Sequence, residues 1–167
     1  RRICKHYSCF PQFIMSSATI SNPKPLCEHL IGLPVKVIDN DGSPSGERTI
    51  CLWNPPLLDA SGENTRRKSA ASEATVIFTE LVTRRLKSIC FVRARKTAEV
   101  VLQQSKQKLA SSGRADMHDQ IMAYRAGYLP EERRAIEEKL FSGRLVGVTA
   151  TTALELGVDV GGLDATV

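Results

Sequence analysis

The chain has 167 residues, a formal charge of +5 and a sequence pI near 9.1; 42% of it is hydrophobic and 25% charged. That length fits one globular domain with part of a second, and the longest apolar runs are a few residues, far short of the roughly 20 that a bilayer crossing needs. The basic excess favours an anionic partner, nucleic acid before a membrane surface.

The opening stretch, "RRICKHYSCFPQF", is basic but has no apolar run followed by a cleavage site, so it does not read as a signal peptide. It begins without Met, which leads us to expect a piece of a longer chain. Five cysteines are irregularly spaced. Cys4, His6 and Cys9 lack a second Cys/His pair at zinc-finger spacing, so no metal site is expected. Reduced thiols in an intracellular protein are, with Cys90 as a small core residue.

In chain order, "PQFIMSSAT" predicts a short buried strand from Phe13 to Ser16, followed by a polar turn. "SNPKPLCEHLIG" predicts a helix of about two turns, with prolines early and Gly32 as its stop. "VKVID" and "RTICLW" read as strands around a loop rich in Gly, Pro and Asp. A long helix is predicted from Thr65 to Leu86, with Ala70, Ala74, Ile77 and Leu81 on its buried face. "SICFV" is a continuous apolar run of strand length. A helix follows, on which Ala98, Val101, Leu102 and Leu109 share a face, ending at Gly113. "QIMAY" is the next apolar run. The helix "LPEERRAIEEKLFSG" then has Pro130 early, acids in its first turn and Gly143 at its stop. "LVGVTAT", a short leucine-bearing helix and "ATV" close the chain. Continuous apolar strands alternating with amphipathic helices predict an α/β fold: a mainly parallel sheet covered by helices on both faces.

In such sheets ligands sit at the carboxyl ends of strands. Four of these runs end in "SSAT", "RARK", "RAGY" and "TATT". Guanidinium forks, hydroxyls and small residues that let backbone N–H groups approach are the equipment for gripping phosphates. Acid-base or covalent catalysis finds little support. His6, His29 and His118 sit in unrelated segments, and the glutamates from Glu131 to Glu138 are interleaved with Arg133 and Arg134. There is no G-x-x-x-x-G-K-[ST] loop and no acidic pair after a strand to hold Mg²⁺, so the chain is not expected to hydrolyse nucleotide by itself.

The ordered set "SSAT", "SICFVRARKTAEVV", "YRAGYLPEERRAIEEKLFSG" and "VTATTALELGVDVGGLDATV" resembles the superfamily 2 DEAD/DEAH-box helicases, with the closest look to the RecQ-four-like branch. The resemblance covers about Phe13 to Ile31 and then Ser88 to Val167. It implies a RecA-like sheet, a P-loop NTPase-type lobe without its own P-loop. Residues 1–58 would be the end of a first lobe and a connector. Residues 59–167 would be most of a second lobe, the helicase C-terminal domain, truncated before motif VI. Ser17, Ala18 and Thr19 match motif III, which couples ATP hydrolysis to strand movement. Arg93 matches motif IV, and Arg125, Ala126 and Gly127 match a segment that approaches the nucleic-acid backbone. In motif V, Thr149 and Thr151 would face that backbone, and Gly157 and Asp159 the nucleotide. The implied activity is ATP-dependent 3′ to 5′ DNA unwinding, in DNA repair, by the full-length protein. Its cofactors would be ATP and Mg²⁺, and its partners DNA (single strand or fork, with RNA left open) and the absent first lobe. No membrane partner is implied; the location would be intracellular, nuclear in a eukaryote or in a plastid. Two rival readings stay open. One is a non-catalytic nucleic-acid-binding lobe, a pseudo-helicase or truncated product. The other is a doubly wound nucleotide-binding transferase.

Overall fold

The computed structural model describes residues 2–17, 20–40, 42, 44, 46–58, 66–151, 154 and 162–167. The chain divides into two compact units, Arg1–Cys51 and Leu52–Val167.

The first unit holds two helices, α1 (Arg2–His6) and α2 (Pro23–Ile31). α2 begins with proline, whose missing N–H costs nothing in a first turn. It stops at Gly32, which adopts the left-handed conformation (φ 63°) and donates its N–H to the Glu28 carbonyl at 2.7 Å. None of the described residues of this unit is buried. The strand expected at Phe13–Ser16 is not formed: those residues are irregular and exposed. The stretches 35–39 and 48–53, also expected as strands, are irregular too. An extended segment leaves its N–H and C=O groups unpaired unless a neighbour completes the ladder, and none of these has such a neighbour among the described residues.

The second unit carries α3 (Ala70–Thr83), β1 (Ser88–Phe91), α4 (Arg95–Ser111), a 3₁₀ turn (Ala115–Gln120), β2 (Ile121–Tyr124), α5 (Pro130–Phe141), β3 (Gly147–Ala150) and β4 (Ala165–Thr166). The strands form one parallel sheet in the order β2-β3-β1-β4. The alternation expected from position 65 onward is therefore realised. The short helix expected between β3 and β4 lies almost wholly outside the described residues.

Two cores explain why the strands are mostly apolar. On one face Cys90, Ile121 and Ala123 meet Phe78 and Val82 of α3 and Val101, Leu102 and Leu109 of α4. On the other face Ile89, Tyr124, Val148 and Ala150 meet Ile136 and Leu140 of α5. Successive strand residues point to opposite faces, so a strand covered on both sides favours apolar residues throughout, although Ser88 at the start of β1 is buried with no hydrogen-bond partner for its hydroxyl among the described residues. The close approach of α3 requires Gly147: a Cβ there would lie 2.6 Å from Phe78 Cζ and 2.7 Å from Val82 Cγ2.

The buried face of α3 differs from the expected one. Thr75, Phe78, Thr79 and Val82 are buried, one position on from the predicted Ala74, Ile77 and Leu81. The threonines pass as core residues because their hydroxyls donate back along the helix: Thr75 to Ala71 O at 2.7 Å and Thr79 to Thr75 O at 2.6 Å. With that polarity satisfied, the Phe78 ring sets which side packs. α5 starts as its sequence indicated. Pro130 opens it, Glu132 accepts from the Leu129 N–H at 2.7 Å, and Gly143 follows its end at φ 74°. No helix among the described residues is long and apolar enough to cross a membrane.

Candidate nucleic-acid interface

The parallel register brings the carboxyl ends of three strands level. Phe91 of β1 and Tyr124 of β2 are both paired with Ala150 of β3. The ladder runs one residue further on each side, with Val92 N–H to Ala150 O at 2.8 Å and Thr151 N–H to Tyr124 O at 3.2 Å. Arg93, Arg125 and Thr151 therefore leave the sheet along one edge.

Arg93 is exposed and makes no hydrogen bond or ion pair with a described residue. Arg95 and Lys96, also exposed, open α4, whose first turn holds no acid. Basic residues at a helix N-terminus oppose the helix dipole. The arrangement costs the fold something and leaves a positive edge suited to an anion. Between Arg93 and Val101 the sole acid is Glu99, and it is already engaged.

Arg125 is half-buried. Its Nε donates to Glu99 Oε1 at 2.7 Å, and its guanidinium carbon lies 4.5 Å from the Tyr128 ring centroid. Tyr128 Oη donates to the same Glu99 oxygen at 3.1 Å. Burial, then the Glu99 carboxylate, holds the Tyr128 phenol above its ordinary pKa, so it stays a donor. The hydrogen bond to Glu99 raises the already high pKa of Arg125. Ala126 and Gly127 are exposed on the turn closed by Tyr128 N–H to Arg125 O at 3.2 Å. A Cβ on Gly127 would collide with Arg125 Nη1, so this glycine makes room for the guanidinium.

Thr149 does a different job from the one expected. It is fully buried, and its hydroxyl donates to Ala98 O of α4 at 3.0 Å. With Val148 and Ala150 turned to the α5 face, Thr149 must face α4. From there it fastens the helix that carries Arg95 and Lys96. Thr151 is also buried; its carbonyl accepts from the Leu154 N–H at 3.1 Å. Ser17 lies in the first unit, exposed, with its hydroxyl oxygen accepting from Ile20 N–H at 3.3 Å. Ala18, Thr19, Gly157 and Asp159 lie outside the described residues.

Sequence reasoning missed Glu99 and Tyr128. The signal for Glu99 was its isolation as the one acid in a basic stretch. It also left the "GGLD" aspartate unexplained. Asp164 accepts the Lys87 N–H at 2.7 Å through its carboxylate and donates its own N–H to Lys87 O at 2.9 Å. That reciprocal pair fixes where β4 joins β1. Cys90 is buried as expected, and burial pushes its thiol up to about 11.

A parallel sheet with a helical layer on each face and a basic edge at its strand ends is the RecA-like fold of helicase lobes, and the chain is homologous to one segment of ATP-dependent helicases. It is 38% identical over 169 residues to the ATP-dependent helicase hrq1 of Schizosaccharomyces pombe, covering 100% of this chain and 16% of that one. It is 40% identical over 167 residues to the uncharacterized ATP-dependent helicase YprA of Bacillus subtilis, covering 100% of this chain and 22% of that one. Among solved structures, the helicase MrfA bound to DNA and AMPPNP superposes with a TM-score of 0.86 at 39% identity, over 99% of this chain and 22% of that one. No family profile matches the chain. It spans between 16% and 22% of the length of these relatives.

Proposed function

We propose that this chain is the strand-gripping part of an ATP-dependent DNA helicase of the RecQ-four-like branch, moving 3′ to 5′. In this reading residues 1–58 end a first RecA-like lobe and residues 59–167 form most of a second. The observation that carries it is the level sheet edge from which Arg93 and Arg125 project. Phosphates look alike at every step of a nucleic acid, so guanidinium groups aimed at them hold the strand whatever its sequence. Arg93, Arg125, the open backbone at Ala126 and Gly127, and the Thr151 segment would meet the strand. Thr149 would hold α4 beneath them. The homology to ATP-dependent helicases and the likeness to a DNA-bound structure support DNA as the partner.

ATP with Mg²⁺ would supply the free energy that opens and closes the cleft between lobes. Gly157 and Asp159 are the residues of this chain assigned to that nucleotide by family resemblance, and Ser17, Ala18 and Thr19 to coupling. The test is DNA-stimulated ATPase activity of the full-length protein. Arg93→Ala should raise the DNA concentration needed for half-stimulation about tenfold, with Thr149→Val as a buried control. Unchanged stimulation by Arg93→Ala would refute the assignment. An intact protein that binds DNA without turning over ATP would be a non-catalytic lobe instead.

A further inference from the structure

Arg125 is held from three sides. Glu99 takes its Nε, the Tyr128 ring lies against its plane, and Gly127 yields the space beside Nη1. Glu99 and Tyr128 are its polar neighbours among the described residues, and 30% of the side chain remains exposed. We infer that Glu99 is the positioning residue for Arg125, fixing its fork so that the terminal nitrogens meet one backbone phosphate. The inference rests on the reading of Arg125 as a phosphate contact.

A carboxylate beside a phosphate-binding arginine subtracts charge and weakens attraction at long range. Stability does not explain its presence either. Both partners are part-exposed, 30% and 37% by side chain, and such pairs contribute little to folding. Orientation does explain it. A free arginine samples many rotamers and must lose that freedom on binding. Here the carboxylate accepts at one edge and the Tyr128 hydroxyl is tied to the same oxygen, so the loss is taken before the ligand arrives. The guanidinium has five donors in a fixed plane; with Nε occupied, the two terminal nitrogens still present a fork.

Acceptor and charge can be separated by substitution. Glu99→Gln keeps an oxygen at the same reach and removes the charge. Glu99→Asp keeps the charge and withdraws the oxygen by one carbon. In the full-length protein, binding of a fluorescein-labelled oligo-dT strand is followed by anisotropy over a range of KCl concentrations. Arg125→Ala should weaken binding about tenfold and reduce the slope of log K against log salt by about 0.7, the value for one phosphate on a single strand. Glu99→Asp and Glu99→Ala should lose most of that affinity with little change in melting temperature. Glu99→Gln should keep it, and Glu99→Ala should cost nothing further in an Arg125→Ala background. Glu99→Gln binding as weakly as Glu99→Asp would overturn the positioning role, as would losses that multiply in the double variant. If Arg125→Ala binds as the unaltered protein does, the phosphate contact itself is refuted, a result distinct from failure at Glu99 alone.

Discussion

Phe13-Ile14-Met15-Ser16 and Ser88-Ile89-Cys90-Phe91 are both runs of three apolar residues beside one serine, yet their fates are opposite. In the first, Ile14 is 86% exposed and the backbone is irregular; in the second, Ile89 is 1% exposed at the centre of a sheet. Composition does not separate them. β1 has β3 on one side, β4 on the other and a helical layer over each face, whereas residues 13–16 have no strand beside them among the described residues. The contrast extends across both units. The first has a hollow of about 580 Å³ lined by Phe10, Phe13, Ile31 and Leu33, while the second closes its apolar groups into two packed layers. A strand is a property of its neighbours before it is a property of its residues.

The contrast can be put at risk by substitution. Phe78→Ala should destabilise the second unit by about 3–5 kcal/mol in denaturant unfolding. Phe10→Ala, at a side chain 99% exposed, should change stability by no more than about 0.5 kcal/mol. Comparable costs would abolish the distinction. The next effect concerns pH. Folded Cys90 keeps its proton up to about 11 against an ordinary 9.0, so between those values the folded state binds the proton that the unfolded state has released. Its stabilisation is complete below pH 9 and lost as pH rises to 11, about 3 kcal/mol in all. Cys90→Ala should remove that part of the alkaline loss, seen as a flatter plot of unfolding free energy against pH. Gly147→Ala should cost about 1–3 kcal/mol, because the new methyl meets the ring of Phe78 in a closed core. The smallest effect within the second unit is Thr149→Val, about 1 kcal/mol for the lost bond to Ala98 O, measured by thermal unfolding.

Much of the second unit was legible in the sequence. Pro130 and Gly143 bracket α5, and Ala98, Val101, Leu102 and Leu109 are all buried on α4 as their spacing indicated. These signals are local, and local signals survive whatever the tertiary context. The face of α3 was misjudged by one position because hydrophobicity alone ranks Ile77 above Thr75, while a threonine that bonds its own helix packs as an apolar residue. The edge carrying Arg93 and Arg125 could be foreseen from strand ends alone. The Glu99–Arg125 pair could not, because it joins residues 26 positions apart. The direction of Thr149 was readable from the alternation of "GVTA", in which Val148 and Ala150 commit to the opposite face.

The equal alignment of Phe91, Ala150 and Tyr124 has a metric consequence. β1 and β2 flank β3, so the backbones that launch Arg93 and Arg125 stand two inter-strand gaps apart, roughly 10 Å. That interval is dictated by peptide hydrogen bonding and is the same in any sheet of this order. Substitution can change which groups stand on the two marks, but it cannot move the marks. A polymer held by both arginines would have to match a gauge cut by the main chain.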